Sequence, residues 1–309
     1  MKKISIVIPA HNEEGNIPLI YQRIKDIFSK IANYRFEIIF VNDGSRDNTQ
    51  QILEQISQNN EDIKFIEFSR NFGHQHAVKA GMDYSTGNAM ISMDADLQHP
   101  PELIPELIKK WEEGFDIVHT IRKYPKQISS FKRKTSKLYY RFLTRISDVN
   151  LSEGGGSDFR LMDASVVDVV RNMHESDIFL RGLSYWMGFK CVGIHFTACE
   201  RATGESSYNL KKMMKFAFTG ITAFSVKPLY LAAYLGFIFS AIATVGYGTY
   251  VIHSFLTGTE ISGWASLIMT VVFFGGVQLI ILGIMGIYLG KIFNQVKQRP
   301  NYIIRSKNF

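Results

Sequence analysis

Residues 89–98 read Ala89-Met90-Ile91-Ser92-Met93-Asp94-Ala95-Asp96-Leu97-Gln98, an apolar run that ends on an Asp-x-Asp. Ala89 to Met93 has the length and composition of a short buried strand, which leaves Asp94 and Asp96 at its carboxyl end. In extended chain, residues i and i+2 project to the same side, so both carboxylates face one point. Two carboxylates that close repel each other unless a cation lies between them. Oxygen ligands suit Mg²⁺ or Mn²⁺, which keep several waters and bridge substrate phosphates.

Outward from this strand, apolar runs recur at Ile4 to Ile8, Phe36 to Val41, Ile63 to Phe68 and Asp116 to Ile121. Between them lie helical stripes. Ile17, Ile20, Ile24, Ile27, Phe28 and Ile31 share one face, and Asp47 can cap a helix that buries Ile52 and Ile56. A further helix is expected from about Gln75 to Tyr84, and another opens at Pro100-Pro101 and runs to Trp111, where Gly114 stops it. Strands alternating with helices at short spacing predict an α/β fold, a mostly parallel sheet covered by helices. Ligands of such sheets bind beyond the carboxyl ends of the strands. His11, Asn12, Glu13 and Glu14 follow the first strand, Asn42, Asp43, Gly44 and Ser45 the second, and Asp94, Asp96, Gln98 and His99 the fourth. No G-x-G-x-x-G follows the first strand and no G-x-x-x-x-G-K-[ST] occurs, so neither a Rossmann dinucleotide site nor a P-loop is supported. A metal bridging a diphosphate, with acidic residues left to read base and ribose, fits a nucleotide-sugar better.

The chain has 309 residues and a net charge of +7, unevenly distributed. Residues 206–309 hold nine basic residues and one acidic one, Glu260, which leaves the first 205 at −1. Leu229 to Ile252 and Trp264 to Gly290 contain no charged residue. Each exceeds the roughly 20 residues that span a bilayer, so a purely soluble protein is not expected. The apolar run before Pro9 is too short for a signal peptide and reads as a strand. Cys191 and Cys199 read as reduced thiols packed as small apolar groups, since no further soft ligands lie near them.

Four stretches then carry a family resemblance: Pro9-Ala10-His11-Asn12-Glu13-Glu14, Val41-Asn42-Asp43-Gly44-Ser45, Ser69-Arg70-Asn71-Phe72-Gly73 and Met93-Asp94-Ala95-Asp96-Leu97-Gln98. In this order they resemble family-2 glycosyltransferases with the GT-A fold, and within them the polyisoprenyl-phosphate glycosyltransferases, which include dolichyl-phosphate mannose synthase. Gly154 to Asp163 and Arg201-Ala202-Thr203-Gly204-Glu205-Ser206 extend the match. With two C-terminal spans, the chain is most similar to bacterial bactoprenol (undecaprenyl-phosphate) glucosyltransferases.

The resemblance implies that Pro9, His11, Glu13 and Asp43 contact the nucleoside. It places Asp94, Asp96 and Gln98 at the metal and diphosphate positions, and Arg201 on the diphosphate. Asp158 matches an acidic residue near the reacting centre, so Asp158 and Asp96 are the candidate catalytic residues. Two departures stand out: Ser207 where family members commonly have Lys, and Ser157 where a Gly is usual. The implied reaction is a single inverting displacement onto a polyprenyl phosphate, with Mg²⁺ or Mn²⁺ as cofactor and UDP-glucose as the expected donor. GDP-mannose, UDP-GlcNAc or a UDP-aminosugar are the alternatives. A processive polysaccharide synthase would carry Gln-x-x-Arg-Trp, which Trp111, Trp186 and Trp264 do not complete. An inactive membrane scaffold would have lost the acidic residues, and they are intact.

From Arg122 to Arg145 there are nine basic residues and no acidic one. Phe131, Thr135, Leu138, Tyr139, Phe142 and Ile146 form one helical face of this segment, at about 129–146, and Lys137, Arg141 and Arg145 the other. An interfacial helix is the favoured reading, ahead of a solvated charged face or a nucleic-acid site, since no nucleic-acid motif accompanies the charge. The resemblance puts Arg122, Lys132, Arg133 and Ser136 at the lipid phosphate. The expected organisation is a catalytic domain over 1–207, a juxtamembrane amphipathic helix over 208–227, spans at about 229–253 and 264–290, and a basic tail over 291–309. Basic flanks outside both spans predict a multi-pass bacterial inner-membrane protein with both termini and the catalytic domain cytoplasmic. Gly275-Gly276, Gly283 and Gly286 would permit close helix packing, compatible with a homo-oligomer.

Overall fold

The computed structural model describes residues 1–31, 33–58, 60–123, 156–176, 178–197, 225–258 and 263–309. The first strand, β1 (Lys2–Ala10), is buried from Ile4 onward and leads into α1 (Ile17–Phe28), which packs Ile17, Ile20, Ile24 and Phe28 inward. Then follow β2 (Tyr34–Asn42), α2 (Thr49–Gln58), β3 (Ile63–Phe68), α3 (His74–Tyr84) and β4 (Ala89–Ser92). A 3₁₀ turn (Pro101–Leu103) precedes α4 (Ile104–Glu112), whose Ile104, Leu107, Ile108 and Trp111 join the same core as α1. Pro105 sits in its first turn, where its missing N–H leaves no helical bond unmade.

The second half of the sheet comprises β5 (Ile117–Lys123), β6 (Gly156–Asp163), α5 (Ala164–Arg171), α6 (Leu180–Trp186) and β7 (Cys191–Thr197). Of these only β5 answers to a strand expected from the sequence, at Asp116 to Ile121. Eight strands form one sheet in the order β7-β5-β6-β4-β1-β2-β3-β8, where β8 is Ile304–Lys307. β1, β2, β3 and β4 run parallel, while β6 is antiparallel to both β4 and β5.

This order creates the site. The chain moves outward from β1 through β2 to β3, then α3 carries it back so that β4 lies on the other side of β1. The β1–β4 ladder stops at Val7 and Ser92, with Met93 N–H donating to the Val7 carbonyl (3.1 Å). Pro9, two residues on and facing the same side, therefore has no partner on β4 to lose, while its register with Val41 of β2 continues. α3 lies very close to β1, because a Cβ on Gly81 would come within 2.1 Å of Val7 Cγ1.

At the opposite end of the strands, buried Glu37 ties four segments together. It accepts from Lys3 Nζ (2.7 Å), Lys64 Nζ (2.8 Å), Ser5 Oγ (2.5 Å) and Thr86 N–H (2.8 Å).

The last eleven residues differ from a simple tail. Residues 299–309 group with the N-terminal globular unit, and β8 pairs antiparallel with the otherwise open edge of β3. The two apolar segments are helices forming a second unit: α7 (Lys227–Thr257) and α8 (Trp264–Val296), each longer at both or one end than the charge-free runs. Both are long and apolar enough to cross a membrane, and they turn outward large side chains such as Phe237, Phe255 and Leu279. Phe239 and Phe273 meet edge to face across the pair at 5.5 Å. The basic helix expected at 129–146 lies outside the described residues, as does 208–224 of the juxtamembrane segment.

Burial opposes the Glu37 charge, but the bonds from Lys3 and Lys64 outweigh it and hold its pKa at about 2. A depressed carboxyl stabilises the fold at pH values above its unfolded pKa, and that contribution disappears as pH falls towards 2. Replacing Glu37 with Gln should remove about 3 kcal/mol of stability at neutral pH. Between about pH 4.5 and 2 the unfolding midpoint of the variant should fall less steeply than that of the parent, the remaining slope coming from other depressed carboxylates such as Asp94 and Asp158.

Candidate active site at the carboxyl ends of the strands

Each functional side chain is placed by the residue that ends its strand. After β1, Asn12 takes a left-handed conformation (φ 58°), receives the Arg46 N–H on its side chain (2.9 Å), and gives its own N–H to Ser45 Oγ (3.0 Å). Asn tolerates this region better than most residues because its short side chain bonds locally. His11 donates from Nδ1 to the Asp43 carbonyl (2.9 Å). The Glu13 carboxylate accepts from Asn16 Nδ2 (2.6 Å), and Glu14 accepts from the backbone and side chain of Asn48. These contacts bind the loops after β1 and β2 into one wall.

Asp43 is buried, and its two oxygens accept the N–H groups of Phe72 (2.6 Å) and Gly73 (2.9 Å). Burial raises its pKa, although the two amides and His11 act the other way. Asp43 thus fastens the Ser69–Gly73 loop to the end of β2. Gly44 follows at φ 64°, and a Cβ there would lie 2.5 Å from the Arg70 backbone carbon, so only glycine lets these loops meet.

After β4, Asp94 and Asp96 stand on one turn, both half-buried. Gln98 donates its N–H back to Asp96 Oδ1 (3.1 Å), and Leu97 between them adopts φ 60° with its side chain buried. A leucine in the left-handed region costs on the order of 1–3 kcal/mol, here offset by core contacts. His74, the first residue of α3, gives Nε2 to Asp94 Oδ1 (2.7 Å). Burial opposes both charges, yet Asp94 raises the His74 pKa, while His99 and His74 lower that of Asp94.

His99 packs against Phe159, accepts the Asp94 N–H on Nδ1 (3.1 Å), and presents Nε2 to Ser157 Oγ (3.2 Å). Ser157, the departure from the usual glycine, therefore holds a ring behind the Asp-x-Asp turn.

Asp158, near the start of β6, lies on the other side of His74. Its Oδ2 is 4.0 Å from His74 Nδ1. Arg181 on α6 engages both its oxygens (Nε–Oδ1 2.9 Å, Nη2–Oδ2 2.6 Å), and buried Arg160 adds Nη2 at 3.1 Å. Burial alone would raise the Asp158 pKa, but the two guanidinium groups hold it well below the carboxylate range. A carboxylate gripped this way remains ionised at neutral pH and is a poor proton acceptor.

The structure thus brings Pro9, His11, Glu13, Asp43, Asp94, Asp96, Gln98 and Asp158 to one end of the sheet. Arg122 contributes backbone to β5, and its side chain is outside the described residues. Lys132, Arg133, Ser136 and Arg201 are outside them altogether. His74, Arg160 and Arg181 were not singled out from the sequence. His74 and Arg181 carry no spacing signal, since α3, β6 and α6 meet only in the folded chain, whereas Arg160 stands two residues from Asp158 on β6, a same-side spacing that could have been read.

Asp94 and Asp96 offer hard oxygen donors suited to a divalent cation. Among the described residues, no group of three His, Cys, Asp or Glu is arranged to hold a metal without help.

Comparisons with known proteins give the family and the fold. The profile of the family described as Glycosyl transferase family 2 matches residues 5–171. A protein of Bacillus subtilis (strain 168) named as an uncharacterized glycosyltransferase is 44% identical over 301 residues, 97% of this chain and 93% of its own. The bactoprenol glucosyl transferase of Shigella phage SfX is 37% identical over 306 residues, 99% of each chain. Among solved structures, one titled as the crystal structure of a mycobacterial protein is similar in fold. It has a TM-score of 0.50 and 16% identity, and the match covers 72% of this chain and 73% of that one.

Removing Asp158 would leave buried Arg160 without its carboxylate. Asp158→Ala should therefore destabilise the protein by about 3–5 kcal/mol, read as a lowered thermal unfolding midpoint. Asp96→Ala, on a half-buried turn, should leave that midpoint within about 2–3 °C of the parent.

Proposed function

The chain belongs to glycosyltransferase family 2, and from that premise we propose that it transfers one sugar from a nucleotide diphosphate to a polyprenyl phosphate at a membrane surface. The observation that carries this reading is the extent of the match. Relatives named bactoprenol glucosyl transferase align over 99% of the chain, through the Asp94–Asp96 turn and both apolar helices. UDP-glucose is the proposed donor and undecaprenyl phosphate the proposed acceptor.

The nucleoside lies against the wall built by Pro9, His11, Glu13 and Asp43, and the diphosphate against Asp94, Asp96, Gln98 and Arg201. A divalent cation bound there supplies Lewis-acid stabilisation of charge developing on the leaving diphosphate. The acceptor oxygen belongs to a phosphate that is already anionic at neutral pH, so attack on the anomeric carbon requires no strong base. That agrees with Asp158, which Arg181 and Arg160 keep ionised. Its role is to fix Arg181 beside His74 and Asp94 and to place negative charge near the carbon that becomes positive. Arg122, Lys132, Arg133 and Ser136 gather the acceptor phosphate. Single displacement inverts the anomeric centre.

Connectivity supports the membrane topology. The chain leaves the globular unit for α7 and returns to it as β8, which lies in the same sheet as β1. An even number of crossings satisfies that arrangement. The basic flanks (Lys211, Lys212, Lys215 and Lys227 before, Lys291, Lys297 and Arg299 after) favour a cytoplasmic globular unit by the positive-inside rule.

Two outcomes are expected. Membranes containing the protein, given labelled UDP- and GDP-sugars with undecaprenyl phosphate, should form one lipid-linked sugar, glucose from UDP-glucose. Use of GDP-mannose alone would replace the donor, and a long glycan product would replace the reaction. Asp96→Ala should lower metal-dependent transfer by at least about a thousandfold, and an unchanged rate would remove the metal from the Asp94–Asp96 turn.

A further inference from the structure

The C-terminal strand touches the loop that Asp43 holds. Ser69 donates its N–H to the Ile303 carbonyl (2.9 Å), and Arg305 Nη2 donates to the Ser69 carbonyl (3.0 Å). The Arg305 guanidinium also pairs with Glu67 (3.0 Å), which accepts from Ser306 Oγ (2.7 Å) as well. Tyr302 stacks on Phe68 with centroids 5.1 Å apart and rings 13° from parallel, and Phe68 meets Phe72 edge to face at 5.6 Å. Phe72 and Gly73 are the residues whose N–H groups reach Asp43, and His74 immediately follows, bonded to Asp94. The Tyr302 hydroxyl donates to Asp83 (2.8 Å), the partner of buried Lys79 on α3. At the far end of β8, Asn308 accepts the Phe65 N–H (2.8 Å) and donates to the Ile63 carbonyl (3.0 Å), closing the pairing.

We propose that residues 302–308 are a strap that sets the Ser69–His74 loop, and that Tyr302 and Arg305 are positioning residues for donor binding. The inference rests on the nucleotide-sugar reading of the site. The strap clamps the loop where it leaves β3, with two hydrogen bonds and a ring stack. The loop's far end supplies the amides that satisfy Asp43 and the imidazole that meets Asp94. Without the strap the β3 edge is open, and the loop keeps only its inner restraints, the contacts of its far end with Asp43, Asp94 and the Gly44 turn. Because the strap follows α8 by a few residues of chain, the segment after the second apolar helix takes part in nucleotide recognition as well as anchoring. The strap's hydrogen bonds and ring stack run to β3, to the Ser69–His74 loop and to α3, on the side of the proposed donor, so its loss should act on donor binding.

The test is titration of UDP and of GDP, with Mn²⁺, into the purified full chain. Variants are Tyr302→Ala and Arg305→Ala, with Tyr302→Phe as the conservative partner and Arg23→Ala as a surface ion-pair control. The alanine variants should weaken nucleotide binding about tenfold, the scale of one lost charge-assisted hydrogen bond. Donor KM should rise, acceptor KM should stay unchanged, and Tyr302→Phe should restore most of the affinity. Linkage requires the reverse effect in the unmodified protein, so nucleotide should slow amide exchange at 302–308, a readout that needs no folded variant. Parent-like affinity in both alanine variants, or tail exchange indifferent to bound nucleotide, overturns the strap while leaving the donor reading intact. A parent chain that binds neither nucleotide overturns the donor reading, and the strap with it.

Discussion

The ladder between β1 and β4 ends at Val7 and Ser92, and the site depends on that divergence. Parallel strands that part at their carboxyl ends leave a crevice where backbone groups lose their ladder partners. The loops after them must supply replacements. In this protein they do so with side chains that also carry chemistry. Asp43 takes two amides, Asn12 and Ser45 exchange hydrogen bonds with each other's loops, and His99 accepts from the Asp94 backbone. The same polar groups that make the crevice stable define what it can bind.

Charge is organised along that crevice in a chain: Arg181 and Arg160 on Asp158, Asp158 near His74, His74 on Asp94. Each buried ion has a partner of opposite sign within reach, which the low local dielectric demands. Anchoring Asp158 so tightly removes it as a proton acceptor and turns it into a fixed negative charge. For transfer to a phosphate oxygen that is sufficient, because the nucleophile arrives already deprotonated. Along the sequence the +7 of the whole chain is concentrated in residues 122–145 and around the two apolar helices, while the remainder is net acidic.

Much of this was legible in the residues. The Asp94–Asp96 pair, the buried strands β1 to β4, the inward face of α1 and the limits of α4 follow from alternation, from 3.6-residue periodicity and from Pro and Gly punctuation, which are local signals. β6, α5, α6 and β7 were not legible in that way. β6 runs antiparallel between β4 and β5 after a long connection, and α6 is a single short helix, so neither repeats the pattern that gave the others away. β8 is four residues long with alternating half exposure, and it looks like a basic tail until the β3 edge is there to receive it.

By itself the sequence determined the class of fold, the end of the sheet where chemistry occurs, the acidic turn, and two helices fit for a bilayer. Those properties depend on neighbours within a few residues or on overall composition. Only the tertiary structure decided that Asp158 is clamped by Arg181 and Arg160, that Asp43 is spent on the Ser69–Gly73 loop, and that the chain's end returns to the sheet it began. Apart from Arg160, two positions from Asp158, these pairings join residues from about 20 to 240 positions apart, and no local preference records which distant partner will satisfy a buried charge or an open strand edge.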